Sequence, residues 1–100
     1  MVYYAWIMVK SVEQMVSSIE GSVRIMNDYP REEVDTEHFN KKLDTLIEWL
    51  KQTNENFKKL EELFHQVPDR TVFRETLKKR VDNLRPRLES LNEATLGIAQ

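Results

Sequence analysis

The chain has 100 residues, with 15 lysines and arginines against 17 aspartates and glutamates, a formal net charge of −2, two glycines and no cysteine. Without cysteine there is no disulfide framework, no thiolate nucleophile and no cysteine-ligated metal site. Two glycines are too few for a phosphate-binding loop or for the turns of a many-stranded sandwich, and the charge balance argues against a protein that coats nucleic acid. The composition favours a single helical domain.

The first segment, residues 2–27, has the residue spacing of a helix in a bundle. Alternating spacings of four and three predict a buried seam, which consists of Met8, Val12, Met15, Ile19, Ser22 and Met26. Val9, Val16 and Val23 flank this seam and widen the stripe, so that it can cover two neighbouring helices. Gly21 lies inside the segment, either to allow close approach of another helix or as a plain surface position.

The second helix is predicted over residues 36–66 and has the most regular pattern. Its seam keeps the same alternating spacing throughout and consists of Phe39, Leu43, Leu46, Leu50, Thr53, Phe57, Leu60, Phe64 and Val67. Ile47, Trp49 and Leu63 broaden the apolar face. A helix of about 30 residues is roughly 45 Å long, which predicts an elongated molecule.

The third helix is predicted over residues 70–97. Its seam has the same spacing and consists of Leu77, Val81, Leu84, Leu88, Leu91, Thr95 and Ile98. Pro86 interrupts the backbone hydrogen bonds, but Leu84 and Leu88 keep register across it, so a kink is expected rather than a new domain. Short turns make the chain an all-α, elongated antiparallel three-helix bundle with coiled-coil-like packing, one domain over 1–100. The alternative is that the chain is part of a longer protein.

Two stretches resemble the spectrin-repeat family. The run from Leu43 to Leu50, with Trp49 midway along its helix, is similar to helix A of that family. The segment Arg87–Glu93 is similar to the Arg-apolar-Glu-small-Leu-Asn string that ends helix B. The resemblance covers residues 39–98, and it implies a cytoskeletal or scaffold spacer that presents binding surfaces.

The order of helices departs from that family, because the additional helix precedes the two that resemble A and B. Pro86 is also unusual for helix B. Three interpretations stay open: a spectrin-like bundle with altered order, a partial repeat completed by a partner chain, or an unrelated three-helix protein.

The N-terminal residues are the first candidate interaction site. Consecutive residues point around a helix, so these large apolar side chains cannot all face the core. The candidate partner-binding residues here are Tyr3, Tyr4, Trp6 and Ile7. We expect self-association or a protein partner, and the alternative is peripheral binding to an anionic membrane. The apolar run is too short for a spanning helix, which needs about 20 residues.

The third helix supplies the second candidate, because residues 70–87 contain seven basic and two acidic residues. The basic side chains beside the seam either pair with acids on the second helix, such as Glu61 and Glu62, or contact an acidic partner. These candidate residues, here called the basic strip, are Lys78, Arg80, Arg85 and Arg87. No interleaved aromatic residues accompany them, so nucleic acid is not expected.

Catalysis is not expected. His38 and His65 would lie roughly 40 Å apart along one helix and cannot act together. A remote alternative is a small all-helical mutase of the chorismate mutase type, which would need inward basic residues, whereas Lys10 and Arg24 lie off the seam. We therefore expect no catalytic residue, cofactor, metal or small-molecule substrate. The leading hypothesis is a cytoplasmic, non-enzymatic scaffold module that mediates protein–protein interaction.

Overall fold

The protein consists of three long helices. The computed structural model describes residues 2–28, 36–67 and 71–99. Helix α1 spans Val2–Asp28, α2 spans Thr36–Gln66 and α3 spans Thr71–Ala99. The described ranges contain no strand, and each helix packs against both others. The predicted all-α three-helix bundle is confirmed.

The molecule is a rod rather than a sphere. Its extents are 55 × 17 × 17 Å and its radius of gyration is 16.1 Å. A compact domain of this length would have a radius of gyration of about 13 Å. The predicted elongation is therefore confirmed.

Contacts between side chains define the helix directions. Trp6 contacts Phe73, and Glu20 pairs with Arg87, so residue numbers rise together along α1 and α3 and these helices are parallel. Asn54 bonds Asn92, whereas Glu61, further along α2, pairs with the earlier residue Arg85. Helix α2 is therefore antiparallel to α3. Because α1 is parallel to α3, α2 is antiparallel to α1 as well. The antiparallel arrangement lets short connections join successive helices.

The seams predicted for α2 and α3 form the core. Leu60, Leu77 and Leu84 are almost completely buried at its centre. Phe39 and Phe64, which lie towards the ends of the predicted α2 seam, are only partly buried. Burying an aliphatic side chain of this size contributes about 1.5–3 kcal/mol, so the two seams supply much of the driving force for folding.

The seam predicted for α1 is wrong by one residue at every second position. Val9, Val16 and Val23 are buried, whereas Met8 and Met15 are only partly buried at the edge. The observed seam keeps alternating spacings of four and three, and consists of Ala5, Val9, Val12, Val16, Ile19, Val23 and Met26. Small and β-branched side chains therefore face the core, because both neighbouring helices approach this stripe.

Ile47 and Trp49 also differ from expectation. Both were expected to broaden the apolar face of α2, yet both are exposed, whereas Leu63 packs against the core. The buried face of α2 is thus narrower than its apolar composition indicates, and two large side chains remain at the surface.

Helix α3 runs continuously past Pro86. Arg74 near the beginning of α3 reaches Val67 just after α2, where its Nη1 donates a hydrogen bond of 2.7 Å to the carbonyl oxygen. The same guanidinium lies 4.8 Å from the ring centroid of Phe64. These contacts hold the end of α2 against the beginning of α3. The prolines of the two turns, Pro30 and Pro68, lie outside the described residues.

Candidate interaction surfaces

Three of the four predicted N-terminal residues form an exposed cluster. Tyr3, Tyr4 and Ile7 are 76%, 58% and 47% exposed. Ile7 follows Tyr3 by four residues and Tyr4 by three, and these spacings make side chains neighbours on a helix surface. We call these three residues the N-terminal patch. It is an apolar and aromatic surface at one end of the rod.

Trp6 is directed towards α3 instead. Its ring centroid lies 5.8 Å from that of Phe73, and the ring packs against the core. The guanidinium of Arg80 lies 4.5 Å from the ring centroid and the ammonium of Lys10 lies 5.8 Å from it, both within range of a cation–π interaction. Trp6 therefore joins α1 to α3.

Two ion pairs continue this contact along α1 and α3. Arg80 Nε donates to Glu13 Oε2 at 2.9 Å, and its Nη2 donates to the other carboxylate oxygen. Arg87 binds Glu20 in the same two-pronged manner, with an Nε–Oε2 distance of 3.0 Å. Successive contacts lie seven residues apart on both helices, so aromatic contact and ion pairs form a heptad ladder between parallel helices.

The ion pairs favour the charged forms of Glu20, Arg80 and Arg87. The hydrogen bond from Arg87 lowers the pKa of Glu20, the charges of Arg87 and Arg24 lower it further, and burial opposes them. Hydrogen bonding to Glu13 raises the pKa of Arg80, and hydrogen bonding to Glu20 raises that of Arg87. Two-pronged pairing of this kind is stronger than a single contact and fixes the orientation of both side chains.

The rest of the basic strip faces elsewhere. Arg85 Nη2 donates to Glu61 Oε2 at 2.8 Å across to α2, and its Nη1 donates to Asp82 at 3.1 Å. Hydrogen bonds to Glu61 and Asp82 raise the pKa of Arg85. Lys78 is exposed. The structure therefore separates the strip: Arg80 and Arg87 face α1, whereas Arg85 faces α2.

A polar contact also bridges α2 and α3. Asn54 Nδ2 donates to Asn92 Oδ1 at 2.9 Å and also to the Leu50 carbonyl oxygen at 2.9 Å. Two polar side chains lie in the core nearby, Thr53 and Thr95. Thr53 donates to the Trp49 carbonyl oxygen at 2.7 Å, whereas the hydroxyl of Thr95 has no hydrogen-bond partner among the described residues.

The third side of the bundle is different, because an open groove lies between the end of α1 and the beginning of α2. Its volume is about 410 Å³. Ile25, which is 61% exposed, and Trp49, which is 48% exposed, stand at its surface, above the buried side chains of Met26 and Leu46. A second hollow of about 220 Å³ continues along α1 past Trp49, towards Ser11. We call the first hollow the α1–α2 groove.

The nitrogen-bearing side chains of the α1–α2 groove come from the first turns of α2. His38, Lys41 and Lys42 line it, and no aspartate or glutamate of the described ranges does. Lys41 also approaches Glu37, with an Nζ–Oε1 distance of 3.8 Å, and both side chains of this pair are largely exposed. Among the described residues the ion pairs join α3 to a neighbour or lie within one helix, and none joins α1 to α2.

Sequence reasoning missed this groove and the acidic partners of the basic strip on α1. The sequence feature that indicates the groove is the position of Ile25 and Trp49 off the seams. The two histidines do not meet: His38 lines the groove, whereas His65 stands edge-on to Phe64 with 5.7 Å between ring centroids.

Residues 2–28, 36–67 and 71–99 offer neither a metal-binding cluster nor a membrane-spanning helix. These residues contain no group of three or more His, Asp or Glu side chains that could hold a metal ion. None of the three helices, as far as the structure describes them, is long and apolar enough to cross a bilayer. Lys10 and Arg24, the basic residues weighed for a mutase site, are both exposed.

Comparison of the chain with models of known protein families, with curated proteins and with solved structures finds no match.

Proposed function

We propose that this chain is a non-enzymatic helical module that binds another protein, or a second copy of itself, through the N-terminal patch. The observation that carries the proposal is the exposure of Tyr3, Tyr4 and Ile7 side by side on one helix. Contiguous exposed apolar side chains mark interfaces on many soluble proteins, and tyrosine is enriched in them. Burying this patch against a partner would remove its apolar surface from water.

The rod shape supports a scaffold or spacer role within this proposal. Three helices of similar length place the N-terminal patch and the α1–α2 groove towards opposite ends of α1. Ile7 and Ile25 lie roughly 27 Å apart at 1.5 Å per residue. A module with this separation can hold two bound partners apart. The resemblance to spectrin-repeat helices in residues 39–98 is consistent with such a cytoskeletal, cytoplasmic spacer.

The test compares the full chain with the variant Tyr3→Ser/Tyr4→Ser/Ile7→Ser. Sedimentation velocity across a range of concentrations measures self-association, and affinity capture from cells that express the protein measures other partners. We expect the variant to lose the association that the full chain shows. Leu96→Ser is the matched control, since Leu96 is exposed at the far end of α3. Retention of the same partners by the triple variant would contradict the proposal.

A second candidate function is peripheral membrane binding, which the tyrosines of the same patch favour. Tyrosine rings occupy the interface of a bilayer well, and Lys10, three residues after Ile7, places a positive charge beside the patch. Co-sedimentation with vesicles tests this candidate. Binding to anionic but not to neutral vesicles, lost in the triple serine variant, would support it, and equal recovery with both vesicles would contradict it.

A further inference from the structure

We propose that the outer surface of α1 binds the same surface of a second, antiparallel copy of this chain. We call this surface the α1 outer stripe, and it consists of Tyr4, Ile7, Ser11, Gln14, Ser18, Gly21 and Ile25. The inference rests on the proposed function, because it extends the contact of the N-terminal patch along the helix and names a second copy as the partner. The spacing, the charge and the area of the stripe support it.

The stripe has the spacing of a coiled-coil seam. Its residues alternate three and four positions apart, as those of the buried seam of α1 do, but they lie on the side of the helix away from the core. Six of them are exposed and Gly21 is half-buried. Helix α1 therefore carries two heptad seams, one facing α2 and α3 and one facing outwards. A seam of this spacing fits another helix lying alongside it.

The stripe contains no charged residue over its whole length, whereas α2 carries exposed charged residues in turn after turn. The basic residues of α1 act on its α3 side. Lys10 lies 5.8 Å from the ring centroid of Trp6, and the charge of Arg24 lowers the pKa of Glu20. An uncharged surface selects neither an acidic nor a basic partner. The same stripe of a second copy is equally uncharged, so the two surfaces match.

The middle of the stripe leaves room for close approach. Ser11, Gln14 and Ser18 line the second hollow, of about 220 Å³, and Trp49 stands half exposed beside them. At Gly21 nothing lies within 4 Å of the position that a Cβ would take, so the packing of one copy does not require a glycine there. Glycine weakens a helix interior, but small residues shorten the distance at which two helices pack. A helix of a second copy gives these small residues a use.

An antiparallel pair with a two-fold axis matches the stripe to itself. When the axis lies at the level of residues 14 and 15, Tyr4 lies opposite Ile25 of the second copy. Ser11 then lies opposite Ser18 of the second copy. Large side chains meet at both ends and small ones in the middle, and every contact occurs twice, as in isologous dimers.

The charges at the two ends of the rod also favour the antiparallel orientation. Dividing α1 after residue 14, α2 after residue 52 and α3 after residue 84 gives two halves. The described half with the N-terminal patch has seven basic and six acidic residues, and the other has six basic and seven acidic. Antiparallel pairing places each half beside the half with the opposite excess. It also brings Tyr3 near Arg24 of the second copy, where a cation–π contact can form.

One side of the rod is large enough for a stable dimer. From Tyr4 to Ile25 the stripe is roughly 32 Å long. The described chain exposes 6975 Å², and its cross-section is 17 × 17 Å, so three similar sides share most of this surface. A standard interface takes about 800 Å² from each partner, which is less than one such side provides.

The test places like charges on the stripe. Ser11→Glu/Ser18→Glu puts negative charges opposite each other, and Ser11→Lys/Ser18→Lys does the same with positive charges. Each variant alone should dimerise about tenfold or more weakly than the full chain. A one-to-one mixture of the two should dimerise as the full chain does, because opposite charges then face each other. Sedimentation velocity across a range of concentrations measures each sample. A mixture that stays monomeric would overturn the proposal.

A third variant, Ser11→Glu/Ser18→Lys, tests the orientation. An antiparallel pair of this variant places opposite charges across both contacts, so it should dimerise at least as tightly as the full chain. A parallel pair would place like charges together. Loss of dimerisation in this variant would therefore overturn the antiparallel arrangement.

The matched control is Asn83→Glu/Ser90→Glu. It introduces two charges at exposed positions seven residues apart on α3, outside the stripe. We expect the control to dimerise as the full chain does. All the substituted positions are exposed, so each variant should keep the helicity of the full chain by circular dichroism. A control that weakens dimerisation as much as Ser11→Glu/Ser18→Glu would overturn the assignment to the stripe.

Other occupants of the stripe give different results. A chain that stays monomeric at every concentration overturns this inference. The proposed function survives that result if the triple serine variant of the N-terminal patch still loses a captured protein. Vesicle binding that Ser11→Glu/Ser18→Glu abolishes, without dimerisation, would identify a lipid surface and would also overturn the inference.

The triple serine variant separates this inference from the proposed function. Dimerisation that this variant loses but Ser11→Glu/Ser18→Glu keeps would restrict the contact to the patch and overturn the stripe alone. Dimerisation that Ser11→Glu/Ser18→Glu loses but the triple serine variant keeps would overturn the role of the patch alone.

Discussion

The two flanks of α3 and the α1–α2 groove both lie between neighbouring helices, but their charged side chains pair differently. On the flanks, Arg80, Arg85 and Arg87 each meet a carboxylate of a neighbouring helix. In the groove, Lys41 and Lys42 line an apolar surface, and Lys41 lies 3.8 Å from Glu37 of its own helix. Arginine suits fixed two-pronged pairing, whereas lysine is a mobile point charge. The difference teaches that Arg80, Arg85 and Arg87 connect neighbouring helices, whereas the ion pair of Lys41 lies within α2 and connects none.

The largest expected effect is the difference in unfolding free energy lost when a core residue of α3 and a residue of the groove are each replaced by alanine. Leu84→Ala should lower the free energy of unfolding by about 2–5 kcal/mol, because Leu84 is buried and its truncation leaves a cavity. Ile25→Ala should change it by no more than about 0.5 kcal/mol, because Ile25 is exposed. Urea unfolding measures both. Equal losses of unfolding free energy would mean that Ile25 contributes to the stability of the fold as much as Leu84 does.

Next in size is the effect of Gly21, which lies on α1 between Glu20 of the ladder and Ser22 of the groove. Nothing lies within 4 Å of the position a Cβ would take, so close helix approach does not require this glycine. Gly21→Ala should raise the free energy of unfolding by about 1 kcal/mol through helix propensity alone. Thermal unfolding checks the gain. A loss of stability would reveal packing at this position.

A smaller effect compares two ion pairs by double-mutant cycles. The Glu13–Arg80 pair should show a coupling free energy of about 0.5–1 kcal/mol, because it is two-pronged and half-buried. The Glu37–Lys41 pair beside the groove should show about 0.3 kcal/mol, since both side chains are exposed. The cycle also separates the ion pair from the stacking of Arg80 on Trp6. Similar coupling free energies would contradict the view that ion pairs on the flanks of α3 are stronger than the pair beside the groove.

The smallest effect is the pH dependence of the second ladder pair. The pKa of Glu20 is lower in the folded protein than its ordinary value of 4.5, so its stabilisation is full above that value and is lost as the pH falls through the folded pKa. The stability difference from Glu20→Gln should therefore shrink in acid. Arg87→Met should remove the same contribution. A difference that stays constant from neutral to acidic pH would contradict the role of this pair.

Most of the fold was predictable because heptad spacing indicates buried positions directly. The seams of α2 and α3 were predicted by position. On α1, Val12, Ile19 and Met26 belong to two overlapping seams, one through Met8 and Met15 and one through Val9 and Val16. Spacing alone cannot distinguish them. The valine seam is the buried one because two helices pack against that side of α1, and this packing is a property of the assembled bundle.

The candidate site was less predictable, for a geometric reason. A three-helix bundle can be left-handed or right-handed, and this handedness determines which flank of α3 faces α1. Glu13 and Glu20 could not be assigned to Arg80 and Arg87 without knowing the handedness. Pairing of the basic strip with acids of α2 such as Glu61 was one of two alternatives, and Arg85 makes that pair. The groove depends in the same way on which sides of α1 and α2 meet.

The equal spacing of the ladder between α1 and α3 has a mechanical consequence. A slip of one heptad, roughly 10 Å, would place Arg80 opposite Glu20 and restore one of the two ion pairs, while Glu13 and Arg87 would lose their partners. The same slip would separate Trp6 from Phe73, with no second tryptophan on α1 to replace it. The heptad repeat of charges therefore leaves a shifted register partly paired, whereas the observed register alone combines both ion pairs with the aromatic contact.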